Sequence, residues 1–245
     1  MRNLKMILEY DGTRYKGWQK QKKDVLTIQD KIETVLSKMT EEDIQVIGCG
    51  RTDSGVHAEN YVANFHTNCD FTVDYMLDYL YEFLPEDIVV KSMKDTSERF
   101  HARYNSKTKT YVYRINTNKF RNVFNKKYCY HYNSNLNIEA MKEAASSLIG
   151  THDFQSFTRL KSNSKSTIRA ITYIDIRKNE NIVEIEINGN SFLLNMVRII
   201  VGTLLEVGKG NITPLDVEKM LEEKKRADSS LIVPAKGLCL KDIQY

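Results

Sequence analysis

The spacing of apolar positions divides the chain into short strands and amphipathic helices. Leu4–Tyr10 reads as a strand. Ile28, Ile32, Val35, Leu36 and Met39 recur at three- and four-residue intervals, one face of a helix. Thr27 can cap that helix, with Asp30 in the capping-box position. Ile44–Gly48 and Tyr61–His66 are strand-like. Thr72 then caps a second helix with Val73, Met76, Leu77 and Leu80 inward, which must stop before Pro85. Ile88–Met93 closes a β-α-β-β-α-β set, the ferredoxin-like order.

The second half repeats the pattern with additions. Thr110–Ile115 reads as a strand, and Asn137 starts a helix with Ile138, Met141, Ala145 and Leu148 inward, ended by Gly150. Ile168–Ile176 and Ile182–Ile187 pair as a hairpin across Arg177–Asn181. The apolar Val183, Ile185 and Ile187 alternate with Glu184 and Glu186, as on a strand with one wet side. Phe192–Leu205 reads as a nearly all-apolar helix, Thr213-Pro214-Leu215-Asp216 opens another, and Leu238–Ile243 is the last strand. The expected fold is α+β, with two ferredoxin-like halves built on antiparallel sheets. The boundary falls near residues 95–106, giving an N-terminal half 1–100 and a C-terminal half 101–245.

Composition narrows the class. Of 245 residues, 41% are hydrophobic and 28% charged, ordinary for a globular protein, and three prolines argue against a long linker. The most apolar run, Phe192 to Leu205, is too short for a membrane span and carries Arg198. The N-terminal stretch lacks the apolar core and cleavage site of a signal peptide. Cys49, Cys69, Cys129 and Cys239 are scattered, and the five histidines do not cluster with them. Neither a disulfide framework nor a structural metal site is expected, and reduced thiols fit a cytoplasmic location.

The net charge of +4 is modest, but its distribution is not. From Arg99 to Ile138 there is no Asp or Glu, while nine Lys and Arg residues alternate with tyrosines and phenylalanines. Phe154 to Ile174 again lacks acids and carries Arg159, Lys161, Lys165 and Arg169. Locally basic, aromatic-rich surface is the footprint of a polyanion binder, although a solvated basic face accounts for the charge equally well.

Three features could carry chemistry. The stretch Gly48-Cys49-Gly50-Arg51-Thr52-Asp53-Ser54-Gly55-Val56-His57-Ala58 packs glycines, a guanidinium and a carboxylate between two strands. Glycines permit close approach of a ligand, yet a glycine-rich turn with Asp53 bonding its own backbone has the same composition. Arg198 is the lone charge of Phe192–Leu205; it must snorkel to solvent or pair with a carboxylate, which it would keep ionised. The strand Lys107–Arg114 places Lys109, Tyr111 and Tyr113 on one face, where a ring beside cations can stack a base; simple packing is the plainer account for Tyr113.

These stretches resemble the tRNA pseudouridine synthase A family. GRTDSGVHA around Asp53 is similar to the family signature, as are YDGTRYKGWQKQ with TIQ, LPEDI, FHARYNSKTKTYVY, GTHDFQSF, NMVRIIVGTL and PAKGLCL. The matches run in family order along nearly the whole chain. Asn60-Tyr61 stands where the family usually has Gly-Gln, and Ser54 where alanine is common. The resemblance implies two ferredoxin-like halves around a central basic cleft, with isomerisation of uridine to pseudouridine in the tRNA anticodon stem-loop at positions 38–40. It also implies a homodimer. Asp53 resembles the essential carboxylate, Tyr111 the tyrosine packed on the target base, Arg198 the basic partner of the Asp, and Arg51 the arginine that helps displace the base. The reaction breaks the N1–C1′ bond, turns the uracil and rejoins it through C5, so no cofactor, redox step or metal is expected.

Two other classes compete. Glu9-Tyr10-Asp11-Gly12-Thr13 superficially resembles the strand-end motif of haloacid-dehalogenase-type phosphatases, though Glu9 stands where their nucleophilic Asp belongs. A non-catalytic RNA-binding module would account for the charge pattern, but not for Asp53, Tyr111 and Arg198 together.

Overall fold

The computed structural model describes residues 1–22, 25–160, 166–224 and 232–245. Lys161 and Lys165 of the second acid-free stretch lie outside the described residues. The fold is mixed α+β, as the apolar pattern predicts. The chain forms two compact units, Met1–Lys107 with Cys239–Tyr245, and Thr108–Leu238.

The first unit opens with strand β1 (Arg2–Tyr10), helix α1 (Ile28–Thr40), β2 (Ile47–Gly48), β3 (His57–Thr67), α2 (Val73–Phe83) and β4 (Ile88–Thr96). β1 runs antiparallel to both neighbours, with Met6 opposite Ala63 of β3 and Met93 of β4. Glu9 and Asp11 therefore do not end a parallel strand, and the phosphatase resemblance stops at the sequence. Leu4, Met6 and Leu8 are fully buried, as are Ile28, Ile32 and Leu36 of α1 and Met76 and Leu80 of α2. Thr27 caps α1 by accepting from the Asp30 amide, and Thr72 caps α2 by accepting from Tyr75.

The strand expected over Ile44–Gly48 shrinks to two residues. Side chains of α1 take the backbone donors that a ladder would use: Ile44 N–H donates to Ser37 Oγ at 2.9 Å and Val46 N–H to Glu33 Oε1 at 3.0 Å.

The second unit contains β5 (Thr108–Asn116), β6 (Tyr130–His131), α3 (Ile138–Ser146), β7 (Gly150–Asp153), a 3-10 turn at Phe154–Phe157, β8 (Ile168–Asn179), β9 (Ile182–Gly189), α4 (Met196–Gly208) and α5 (Pro214–Glu223). β5, β9, β8 and β7 form an antiparallel series in that order. Val183, Ile185 and Ile187 of β9 are fully buried, while Glu184 and Glu186 reach Arg114 and Tyr173 on the other side.

α4 starts four residues later than the apolar run suggests. Asn195 sits in the left-handed region at φ 59°, a conformation that cannot continue a right-handed helix backwards, so Phe192–Leu194 lies outside the helix. From Met196 onward the helix is buried nearly all round. α5 opens on a complete capping box between Thr213 and Asp216, with Pro214 in its first turn.

The last strand, β10 (Leu238–Gln244), pairs in parallel with β3 through Cys239–His57 and Leu240–Ala58. Lys107 N–H donates to Gln244 O at 2.8 Å, and Tyr245 closes the unit by donating to Ala102 O at 2.7 Å. Among the described residues, no helix is long and apolar enough to cross a membrane.

Candidate active site

The Asp53 loop is held on a platform built by residues 10–19. Its glycines are small because backbone passes through their space. A side-chain carbon on Gly12 would overlap Val56 O, and one on Gly17, which needs φ +93°, would fall 2.5 Å from Thr52 O. A side-chain carbon on Gly48 would run into the Tyr61 hydroxyl and the Trp18 ring, and those two rings stack with centroids 3.9 Å apart.

Hydrogen bonds fix the loop residue by residue. Cys49 N–H donates to Val62 O at 2.9 Å, and Tyr61 OH donates to Gly50 O. Trp18 N–H donates to Thr52 O at 3.2 Å, while the Thr52 hydroxyl shares a buried 2.9 Å hydrogen bond with Tyr10 OH. Gly55 N–H and Ser54 Oγ both donate to Tyr15 O. Val56 N–H donates to the Asp53 carbonyl at 3.2 Å, closing a turn that Asp53 opens and whose tip is Ser54–Gly55. The Asp53 side chain is half-exposed at the start of that turn, beside buried Thr52 and exposed Arg51 and Ser54.

Tyr15 is itself anchored. Its hydroxyl donates to Asp87 Oδ1 at 2.6 Å, and Arg14 pairs with the same carboxylate. Burial, then the Asp87 bond, push the Tyr15 hydroxyl up to about 12, so it remains a donor. His57 is buried under the loop, with Nδ1 accepting from Gly12 N–H at 3.1 Å and lying 3.2 Å from Asp11.

Arg51 is oriented by a chain of amides. Its Nε donates to Gln19 Oε1 at 3.0 Å, Gln19 donates to Gln29 at 2.7 Å, and Gln29 donates to Glu33 at 2.8 Å and to Val46 O. Lys20 balances the buried Glu33 at 3.1 Å.

In the second unit, Tyr111 lies on β5 opposite Ile187 and is half-buried, its ring edge-on to Phe192 at 5.3 Å. Tyr113, two residues on, is fully buried and packs, as the plainer account of it has it. Its hydroxyl donates to Pro234 O at 2.8 Å, and burial holds that hydroxyl far above the usual tyrosine range. Gly237 rests against this ring, where a side-chain carbon would fall 2.6 Å away. Arg198 is the half-buried residue of an otherwise buried helical turn, and its Nε donates to Val233 O at 2.8 Å. Tyr113 and Arg198 thus hold adjacent carbonyls of one segment.

The sequence profile of a family described as tRNA pseudouridine synthase matches residues 6–105 and 144–245. This chain belongs to that family. It is 85% identical over 245 residues to tRNA pseudouridine synthase A 1 of Clostridium tetani, covering all of both chains. It is also 47% identical over its whole length to tRNA pseudouridine synthase A of Clostridium acetobutylicum, and 44% identical to tRNA pseudouridine synthase A 2 of Bacillus cereus, again covering all of both. Arg51 and Asp53 fall in the first matched span and Arg198 in the second; Tyr111 lies between them.

A half-exposed carboxylate on an over-determined turn can act as a nucleophile or base with little reorganisation. The apolar and charge patterns did not reveal Tyr10, Tyr15, Trp18, Thr52 and Tyr61 as its supports. The available signal was the pairing of two glycine-bearing stretches, 10–17 and 48–55, that are far apart in sequence.

Proposed function

We propose that the chain isomerises uridine to pseudouridine in transfer RNA, with Asp53 as the carboxylate acting at the sugar. The observation that carries this reading is the 85% identity to a tRNA pseudouridine synthase A along the full length of both chains. The construction of the Asp53 turn supports the choice of residue.

The target uracil leaves its stack, at a cost of a few kcal/mol, and Tyr111 packs on it. Arg51 contacts phosphate or fills the space the base leaves, offsetting part of that cost. Ionised Asp53 attacks C1′ or removes the C2′ proton, and the N1–C1′ bond breaks. The uracil turns and C5 bonds to C1′ as the Asp53–C1′ bond breaks, or as Asp53 returns the proton to C2′ in the second route; the C5 proton is then lost and N1 gains one. Atoms balance without a donor or an oxidant. Arg198 is the basic partner that the family resemblance implies for Asp53. The family resemblance adds uridines 38–40 of the anticodon stem-loop as targets and a homodimer as the working form, and the scattered thiols fit the cytoplasm as its place.

The test is to incubate the protein with an unmodified tRNA pool and map pseudouridine by position. New pseudouridine confined to 38–40 supports the reading in full. Pseudouridine elsewhere keeps the reaction and replaces the target. Binding of tRNA with no isomerisation would favour a non-catalytic RNA-binding module.

A further inference from the structure

The basic, aromatic-rich stretch contains one segment that none of the site residues uses. Residues 119–128, Lys-Phe-Arg-Asn-Val-Phe-Asn-Lys-Lys-Tyr, are exposed without a break. Phe124 is 88% exposed, Phe120 76%, Val123 64% and Tyr128 43%. Single exposed apolar residues are normal, but four within ten positions interleaved with four cations are not the composition of a plain connecting loop. The segment also lies between the two spans matched by the family profile.

Its stem is ordered. Thr117 N–H donates to Asn181 O at 2.7 Å, His131 Nε2 lies 2.8 Å from Asn118 O, and Tyr132 N–H donates to Asn116 O at 2.9 Å. The Asn122 side chain accepts from Phe124 N–H at 2.9 Å and from Asn125 N–H, and Asn125 O accepts from Tyr128 and Cys129. Cys129 is buried, so the turn is pinned at its far end while its rings point outward. Lys119 Nζ sits 5.3 Å from the Phe120 ring centroid.

We propose that this segment grips unpaired nucleotides of the tRNA outside the uridine being isomerised. Phe120 and Phe124 offer faces for bases, and Lys119, Arg121, Lys126 and Lys127 meet the phosphates. Rings with interleaved cations and no acid are what single-stranded RNA recognises, since every base has a face to stack and every linkage a charge to neutralise. A second copy presenting the same segment would bring like charges together, because no acid lies between Arg99 and Ile138. The proposal rests on tRNA being the substrate.

The experiment compares the native protein with a Phe120→Ala/Phe124→Ala variant, a Lys126→Gln/Lys127→Gln variant and a control, Tyr81→Ala, which removes an equally exposed ring from α2. Thermal melting confirms that all are folded. Fluorescence anisotropy with an unmodified tRNA transcript is read across salt concentrations, and turnover on the same transcript is followed in parallel. The aromatic variant is expected to bind at least about tenfold more weakly with its salt slope kept. The lysine variant is expected to lower the slope of log affinity against log salt by about 1.5. The control should match the native protein. Native-like binding by both variants would overturn the proposal, as would a defect seen only in self-association or only in binding anionic vesicles. If the native protein turns over no uridine, the proposed reaction fails, while the anisotropy arms still decide whether the segment grips RNA.

Discussion

Two loops, one in each unit, solve opposite problems with similar lengths of chain. The turn around Asp53 connects β2 to β3 and is fixed by hydrogen bonds with Tyr10, Tyr15, Trp18 and Tyr61. The segment 119–128 connects β5 to β6 and is held by its stem and its own turn, with Phe120 and Phe124 largely in solvent. The proposed role of Asp53 asks for a carboxylate held within a fraction of an ångström of its working position, and a loop fixed by its neighbours meets that demand. A surface that meets RNA of varied sequence gains from side chains free to adapt. Glycine marks the first kind of loop, where other backbone occupies the side-chain space, and exposed phenylalanine with lysine marks the second.

The contrast can be broken or sharpened by substitution. Gly12→Ala places a methyl against Val56 backbone and is expected to cost roughly 3 kcal/mol of stability, read from denaturant unfolding. A loss below about 0.5 kcal/mol would show that the Asp53 platform yields. Tyr10→Phe removes the buried hydroxyl from Thr52 and should cost about 1 kcal/mol. It should also lower kcat about tenfold with less change in KM, because the turn loses its setting rather than its contacts with RNA. The smallest effect belongs to the other loop: Phe124→Ala should change stability by less than about 0.5 kcal/mol, since the ring packs on little. A larger loss in a melting curve would mean that the segment is structural.

Sequence pattern alone located most elements, for reasons visible in particular residues. α1 was legible because Thr27 caps it and its apolar residues keep one face, and β9 because Val183, Ile185 and Ile187 alternate with two glutamates. β7 was not, because four residues ending at Asp153 carry no period. The shortened β2 depends on Ser37 and Glu33 reaching across from α1, and the late start of α4 on one left-handed Asn195; neither follows from hydropathy. Asp53, Arg51, Tyr111 and Arg198 stood out as charged or aromatic residues in unusual settings. The platform beneath Asp53 did not, because the fit of Gly12 to Val56 and of Gly17 to Thr52 joins positions about forty apart.

The central claim is that Asp53 performs the isomerisation, and Asp53→Asn tests it most directly. The variant keeps the size and backbone of the turn and removes the charge. With an unmodified tRNA transcript, turnover should fall at least about a thousandfold, roughly 4 kcal/mol in the barrier, while tRNA affinity stays within about threefold of the native value. Pseudouridine formed by this variant at near-native rate would contradict the account.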